Sequence, residues 1–311
     1  MNESTSKSTV LIHSDDYANW VLGATHPTQG RRFVNAKNLF EKRMKSASKP
    51  LQIISPRAAL KSELERVHSR PYINQVIDEH RCGEWTDTRS DLSHLARLFA
   101  GGTLVALEIL LKGKARTAIH FPGAKHHAQK DHSYGFCVFA DFALAADIAT
   151  KDFDKRVAIL DIDAHHGDGT ENLTLEHPKV LTFSTHQYGI FPGTGNESNP
   201  DKSAYNYPLL SNGKNHDSGS DDAALLRAVD KFLEISQDFK PDMLFVACGA
   251  DGHEKDPLSS LRFTEKGFKE VARKLRNIYP LTPILIGGAG GYLPDTTTPE
   301  IWAQFALDIS A

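Results

Sequence analysis

Val157-Ala158-Ile159-Leu160-Asp161-Ile162-Asp163-Ala164-His165-His166-Gly167-Asp168-Gly169 passes from four apolar residues straight into carboxylates, imidazoles and glycines. A short unbroken apolar run of this kind reads as a strand buried on both faces. Comparable runs stand at residues 10–13, 117–121, 180–186, 243–248 and 284–286, with this one taken as 157–163. Segments of helical period lie between them. Asp222 opens one with Leu225, Leu226, Val229, Phe232 and Leu233 on a face, stopped by Pro241; Thr264 opens another with Phe268, Val271, Leu275 and Ile278, stopped by Pro280. Residues 92–111 are also helical in period, with Gly101 and Gly102 weakening the middle. Alternating strand and helix predicts an α/β fold, a single open and mostly parallel sheet with helices on both faces. With no repeat, linker or composition break, residues 10–311 read as one domain, residues 1–9 as a loose tail and the polar stretch 196–222 as a long surface loop.

At 311 residues the chain is about twice the usual single-domain length, which leaves one large domain open. Apolar residues at 40% and charged residues at 24% exclude disordered and collagen-like classes. Lys plus Arg (36) against Asp plus Glu (39) gives −3, so there is no basic field to hold nucleic acid or anionic lipid. No run approaches the ~18 apolar residues of a membrane span, and the start, MNESTSKSTV, lacks a signal-peptide core. The expectation is a cytoplasmic protein with no membrane or direct nucleic-acid partner. Cys82, Cys137 and Cys248 are odd in number and scattered, which suits reduced thiols.

In parallel sheets the ligand lies outside the carboxyl ends of the strands, so the residues after each apolar run matter most. At a period of two, Asp161, Asp163 and His165 project to one side, and an Asp and a His can converge on one cation. A salt-bridged or calcium-bearing loop is the alternative. Asp251, after Cys248-Gly249-Ala250, serves either as a third ligand to a zinc with an open position or as a turn residue. The adjacent His126 and His127 can face one substrate only through a turn, which Pro122-Gly123 allows; core packing is the other reading. Gly287-Gly288-Ala289-Gly290-Gly291 fits neither dinucleotide nor P-loop spacing, and the Tyr292 that follows suits donation to a developing oxyanion. Of 15 histidines, eight (His120, His126, His127, His132, His165, His166, His177 and His186) fall within 67 residues, where even spreading would place about three.

Taken in order, these residues resemble the zinc-dependent histone deacetylase family, including its bacterial acetoin-utilisation and acetylpolyamine members. The resemblance is carried by His26-Pro27 with Arg31-Arg32, His68-Ser69-Arg70-Pro71-Tyr72, residues 122–128, Gly135-Phe136-Cys137, residues 161–169, Ser184-Thr185-His186, Phe191-Pro192-Gly193-Thr194-Gly195, residues 248–251 with Asp256-Pro257, and the glycine run ending in Tyr292. It covers nearly the whole chain. It implies the open parallel sheet shared with arginases, a zinc ion on Asp163, His165 and Asp251, and a structural potassium near Asp161, Asp163, His165 and Ser184. It pairs His126 with Asp161 and His127 with Asp168, and sets Tyr292 across the scissile carbonyl. Phe136 and Phe191 match the aromatic walls of the substrate tunnel, and Leu258 a position at its mouth. Two departures stand out: Ala124-Lys125 replaces a glycine and a small or apolar residue before the histidine pair, and Ala140 replaces a common Asn.

The chemistry implied is hydrolysis of an N-acetyl amide, with His127 as acid and base, oriented by Asp168, His126 tuning the site and Tyr292 holding the oxyanion. The substrate expected is an acetylated protein or peptide, since Leu258 lacks the charge that would favour a polyamine; an acetylpolyamine or other small N-acyl amine is the alternative. An arginase-like dimanganese ureohydrolase would need more ligands, a non-catalytic acyl-lysine binding module would not need the His pair and Tyr292, and a structural-zinc protein would carry paired cysteines.

Overall fold

The six apolar runs become six strands of one sheet, and two further strands close its edges. The computed structural model describes residues 8–210 and 220–310. Its strands are β1 (Thr9–Ile12), β2 (Leu51–Ile54), β3 (Thr117–His120), β4 (Val157–Asp161), β5 (Val180–Gln187), β6 (Ala204–Leu209), β7 (Met243–Ala247) and β8 (Ile284–Gly287). They form one eight-stranded sheet in the order β2-β1-β3-β8-β7-β4-β5-β6, every pair parallel. The central strands are buried at every residue, which is why they read as continuous apolar runs.

The two strands the apolar pattern does not reveal are the edges. β2 has no fully buried residue and β6 only its two ends, and β6 carries Pro208, which only an edge strand tolerates. β6 also corrects the expectation of a surface loop over 196–222, of which residues 211–219 lie outside the described residues. Thr9, expected in the tail, pairs with Leu51 and Thr117 as the first residue of β1; residues 1–7 of the expected tail are likewise outside the described residues.

Among the described residues the helices are α1 (Arg31–Ser46), α2 (Lys61–Leu64), α3 (Arg70–Ile77), α4 (Ser90–Leu111), α5 (Asp141–Lys151), α6 (Asp168–Thr174), α7 (Asp222–Phe239), α8 (Glu265–Ile278) and α9 (Thr297–Ile309). The helices pack as two series, α1, α9, α8 and α7 in one and α3, α4, α5 and α6 in the other. Asp221, one residue before the expected opener, caps α7 through the Ala224 N–H at 3.1 Å. Asp222 instead accepts the Thr264 N–H and hydroxyl at 2.7 and 2.6 Å, tying the start of α7 to that of α8. Ile278, expected on the buried face of α8, is exposed at its last turn.

α4 bears out the helix expected over residues 92–111 and begins at Ser90. It is long and apolar enough by composition to cross a membrane, but 67% of the apolar window is buried inside the protein against β1, β3 and α5. Nor do its glycines break it. A Cβ at Gly101 would collide with the Arg57 carbonyl and one at Gly102 with the His120 ring, so the pair lets helix and neighbours approach closely.

Four adjacent strands, β3, β8, β7 and β4, deliver their carboxyl ends side by side, with His120 opposite Gly287, Gly287 opposite Ala247 and Ala247 opposite Asp161. The loops after these ends carry the histidine pair, the glycine run with Tyr292, Asp251 and the Asp-His block.

Candidate active site

β4 ends at Asp161, so the alternation expected to aim Asp161, Asp163 and His165 one way stops there. Local turns take over. The Asp161 carboxylate accepts the Asp163 N–H at 3.0 Å, and that of Asp163 accepts the His165 N–H at 2.9 Å. The two aspartates then part company: Asp161 faces His126, whereas Asp163 faces His165 and the β7 loop. His165 Nδ1 lies 3.1 Å from Asp163 Oδ1 and 2.9 Å from Asp251 Oδ2.

Asp163, His165 and Asp251 bring their ligand atoms within 4.8 Å of one another, all buried. Both carboxylates are fully shielded from solvent. Burial, then the charge of Asp163, pushes Asp251 up, while His126 and His165 overcome burial to hold Asp163 well below the usual carboxylate range. Two shielded carboxylates converging on one imidazole are expensive unless a cation lies among them. Their outer lone pairs are taken by Gly290 N–H (2.6 Å, to Asp163) and Ala164 N–H (2.9 Å, to Asp251). A Cβ at Gly290 would collide with both carboxylates, so the glycine loop forms a cradle around them. One imidazole and two carboxylates fit a single zinc-type cation with an open position.

The loop after β3 turns through Ala124, whose φ is +63°, and sets the His126 and His127 rings 3.9 Å apart. Asp141 at the start of α5 holds this turn by accepting the Ala124 and Lys125 N–H groups at 3.0 and 2.6 Å. That is what lets alanine occupy a left-handed position suited to glycine. His126 Nδ1 meets Asp161 Oδ2 at 2.7 Å and His127 Nδ1 meets Asp168 Oδ1 at 2.6 Å. For His126 burial is outweighed by Asp161 and Asp163, raising it to about 9; for His127 burial and the neighbouring His126 prevail, lowering it to about 4. Gln129, which sequence reasoning missed, completes the second pair by donating to Asp168 Oδ2 at 2.9 Å.

A cavity of about 410 Å³ opens onto these groups, lined by His127, Gly135, Phe136, His165, Ile190, Phe191, Leu258 and Tyr292. The three expected tunnel residues and Tyr292 therefore share one space, and among the described residues no carboxylate lines it. Asp256 pins two of its walls by accepting the Leu258 N–H at 3.0 Å and the Tyr292 N–H at 2.8 Å. Asp256-Pro257 is a turn-forming pair that can signal the contact to Leu258, whereas nothing local signals the reach to Tyr292. Arg32 anchors the same loop by donating to the Gly291 carbonyl at 2.6 Å, whereas its neighbour Arg31 pairs with Asp295 at the surface. The Tyr292 hydroxyl has no acceptor among the described residues. Burial, then Asp251 and Asp163, raises it well above the ordinary tyrosine value, so it keeps its proton.

The departures fall outside the cavity lining. Lys125 is buried with its Nζ over the Phe99 and Phe33 rings at 5.1 and 5.7 Å, and burial lowers it to about 8. Ala140 donates its N–H to His68 Nε2 at 2.9 Å. Of the clustered histidines, His126, His127 and His165 form the site. His120 bonds Tyr17 and Thr103, His166 bonds Thr194 and Glu171, His186 bonds Ser184, His177 bonds Thr150, and His132 pairs with Asp131 at the surface. All three cysteines are buried and free.

A family model described as histone deacetylase domain matches residues 26–309. The acetoin utilization protein AcuC of Bacillus subtilis is 30% identical over 327 residues, covering 97% of this chain and 82% of that protein. A probable deacetylase of Archaeoglobus fulgidus is 29% identical over 324 residues, covering 97% and 88%. The crystal structure of the HDA15 HD domain shares the fold, with a TM-score of 0.82 at 23% identity over 97% of this chain and 90% of that one.

Proposed function

This chain belongs to the histone deacetylase family, and from that premise we propose that it hydrolyses acetyl-lysine in a protein or peptide with one zinc ion held by Asp163, His165 and Asp251. The observation that carries this reading is the cavity. It joins His127, His165 and Tyr292 to apolar walls from Phe136, Ile190, Phe191 and Leu258, and so suits a thin uncharged stem ending in an amide.

Asp163, His165 and Asp251 would hold the zinc, which would supply Lewis-acid polarisation of the carbonyl and a water of lowered pKa, towards ~7. His127, its tautomer set by Asp168 on Nδ1, would take a proton from the attacking water and return it to the leaving amine. His126, held by Asp161, supplies positive charge beside it. Tyr292 donates its hydroxyl to the oxyanion. A structural potassium near Asp161, Asp163, His165 and Ser184, and a cytoplasmic location, belong to the same reading. A dimanganese ureohydrolase needs a second cluster of carboxylate and imidazole ligands, and among the described residues Asp163, His165 and Asp251 are the one cluster of three or more such side chains whose ligand atoms converge.

Elemental analysis of Asp251→Ala should find zinc well below one per chain; full retention of zinc and activity would sink the ligand assignment. For substrate, kcat/KM compared across acetyl-lysine peptides, longer acyl-lysines and acetylpolyamines should be highest for the acetyl-lysine peptides. A polyamine preference would overturn that choice. Leu258, partly exposed at the cavity rim, gives a second handle. Leu258→Glu should raise kcat/KM for acetylspermidine relative to a neutral acetyl-lysine peptide, because a carboxylate there attracts the distal ammonium; an unchanged ratio counts against the position.

A further inference from the structure

Residues 134–137 close a tight turn in which the Tyr134 N–H donates to Cys137 O at 3.0 Å and the Cys137 N–H to Tyr134 O at 2.9 Å. Both central residues are left-handed, with φ of +54° at Gly135 and +65° at Phe136, the pattern of a type I′ turn. Gly135 adopts this freely, and a Cβ there would press into the His127 ring. Phe136 does not, because a bulky residue keeps a positive φ only where its surroundings over-determine it.

Two rings bracket the Phe136 side chain, His26 edge-on at 4.6 Å and Tyr292 at 6.1 Å. The backbone is held differently: Glu84 Oε2 accepts the Phe136 N–H at 3.0 Å. Glu84 is half-buried, and its own turn is secured by a Cys82–Trp85 bridge and by Trp85 Nε1 donating to the His80 carbonyl at 2.9 Å. It does not line the cavity, whereas Phe136 does.

We propose that Glu84 is a positioning residue for deacetylation: its carboxylate pins the amide of Phe136 in the left-handed region and thereby places the aromatic wall along which the substrate stem runs. The inference rests on reading the cavity as the tunnel for an N-acetyl amine. A charge-assisted hydrogen bond is among the stronger single contacts a backbone amide can make, so its removal should free the turn to relax.

Glu84→Ala should raise KM for an acetyl-lysine peptide about tenfold, with kcat within about threefold. Glu84→Gln keeps an acceptor oxygen and should restore KM to within about threefold of the parent. A residue that merely stabilises the fold would lower the active fraction, and so kcat, without moving KM. In a Phe136→Gly background, where the left-handed turn is strain-free and no ring needs placing, Glu84→Ala should no longer change KM. An unmoved KM in Glu84→Ala, or an equal rise in both backgrounds, overturns the proposal. A crystal structure of Glu84→Ala decides the point without turnover, since Phe136 should leave its position and its unaltered retention refutes the role of Glu84. Failure of the parent to cleave the peptide would count against the substrate alone.

Discussion

His127→Ala is expected to lower kcat/KM by about 10²–10⁴-fold, the usual contribution of a placed proton-transfer group. The expectation follows from how the two neighbouring imidazoles differ. His127 has one ring nitrogen committed to Asp168 and lines the cavity, and burial beside a charged His126 keeps it neutral down to about pH 4. At neutral pH it is therefore able to accept a proton. His126 is held in the charged state by Asp161 and Asp163 and is poorly suited to that task. Zinc should remain bound in the variant, because His127 is not among the three converging ligands. A loss below about tenfold would move the acid and base role to His126, which His126→Ala would then reveal.

Tyr292→Phe should reduce kcat by about 10²–10³, or ~2.7–4 kcal/mol, the cost of losing one oxyanion donor. KM should change little, since a contact that strengthens only as charge develops is not part of uniform binding. The ring keeps its neighbours in the variant: Phe136 lies at 6.1 Å and the Arg32 guanidinium at 5.7 Å, and the backbone hydrogen bond to Asp256 does not involve the hydroxyl. What is lost is a protonated phenol without a protein acceptor among the described residues. If Tyr292 only packs over the glycine loop, turnover in the Phe variant will stay within about threefold of the parent, and the catalytic role is refuted.

The parallel sheet could be read from the chain because strands buried on both faces must be apolar at every position, a constraint that acts residue by residue. Its edges could not, since β2 and β6 meet solvent and their residues resemble loop sequence. The site divides along the same line. That Asp163, His165, Asp251, the histidine pair and Tyr292 follow strand ends was local information, available from apolar runs and the residues after them. Which partner each would face was not: Asp161 and Asp163, two residues apart, turn to His126 and to His165 with Asp251 because Asx turns replace the extended backbone after β4. The contacts that complete the site span long stretches of chain, Gly290 to Asp163, Tyr292 to Asp256 and Phe136 to Glu84. They exist because the strand order sets β8 beside β7 and β7 beside β4. Sequence alone determined which chemical groups stand at the carboxyl ends of the strands, since burial acts on each strand separately; only the tertiary structure decided which groups meet, since that depends on the order in which the strands pack.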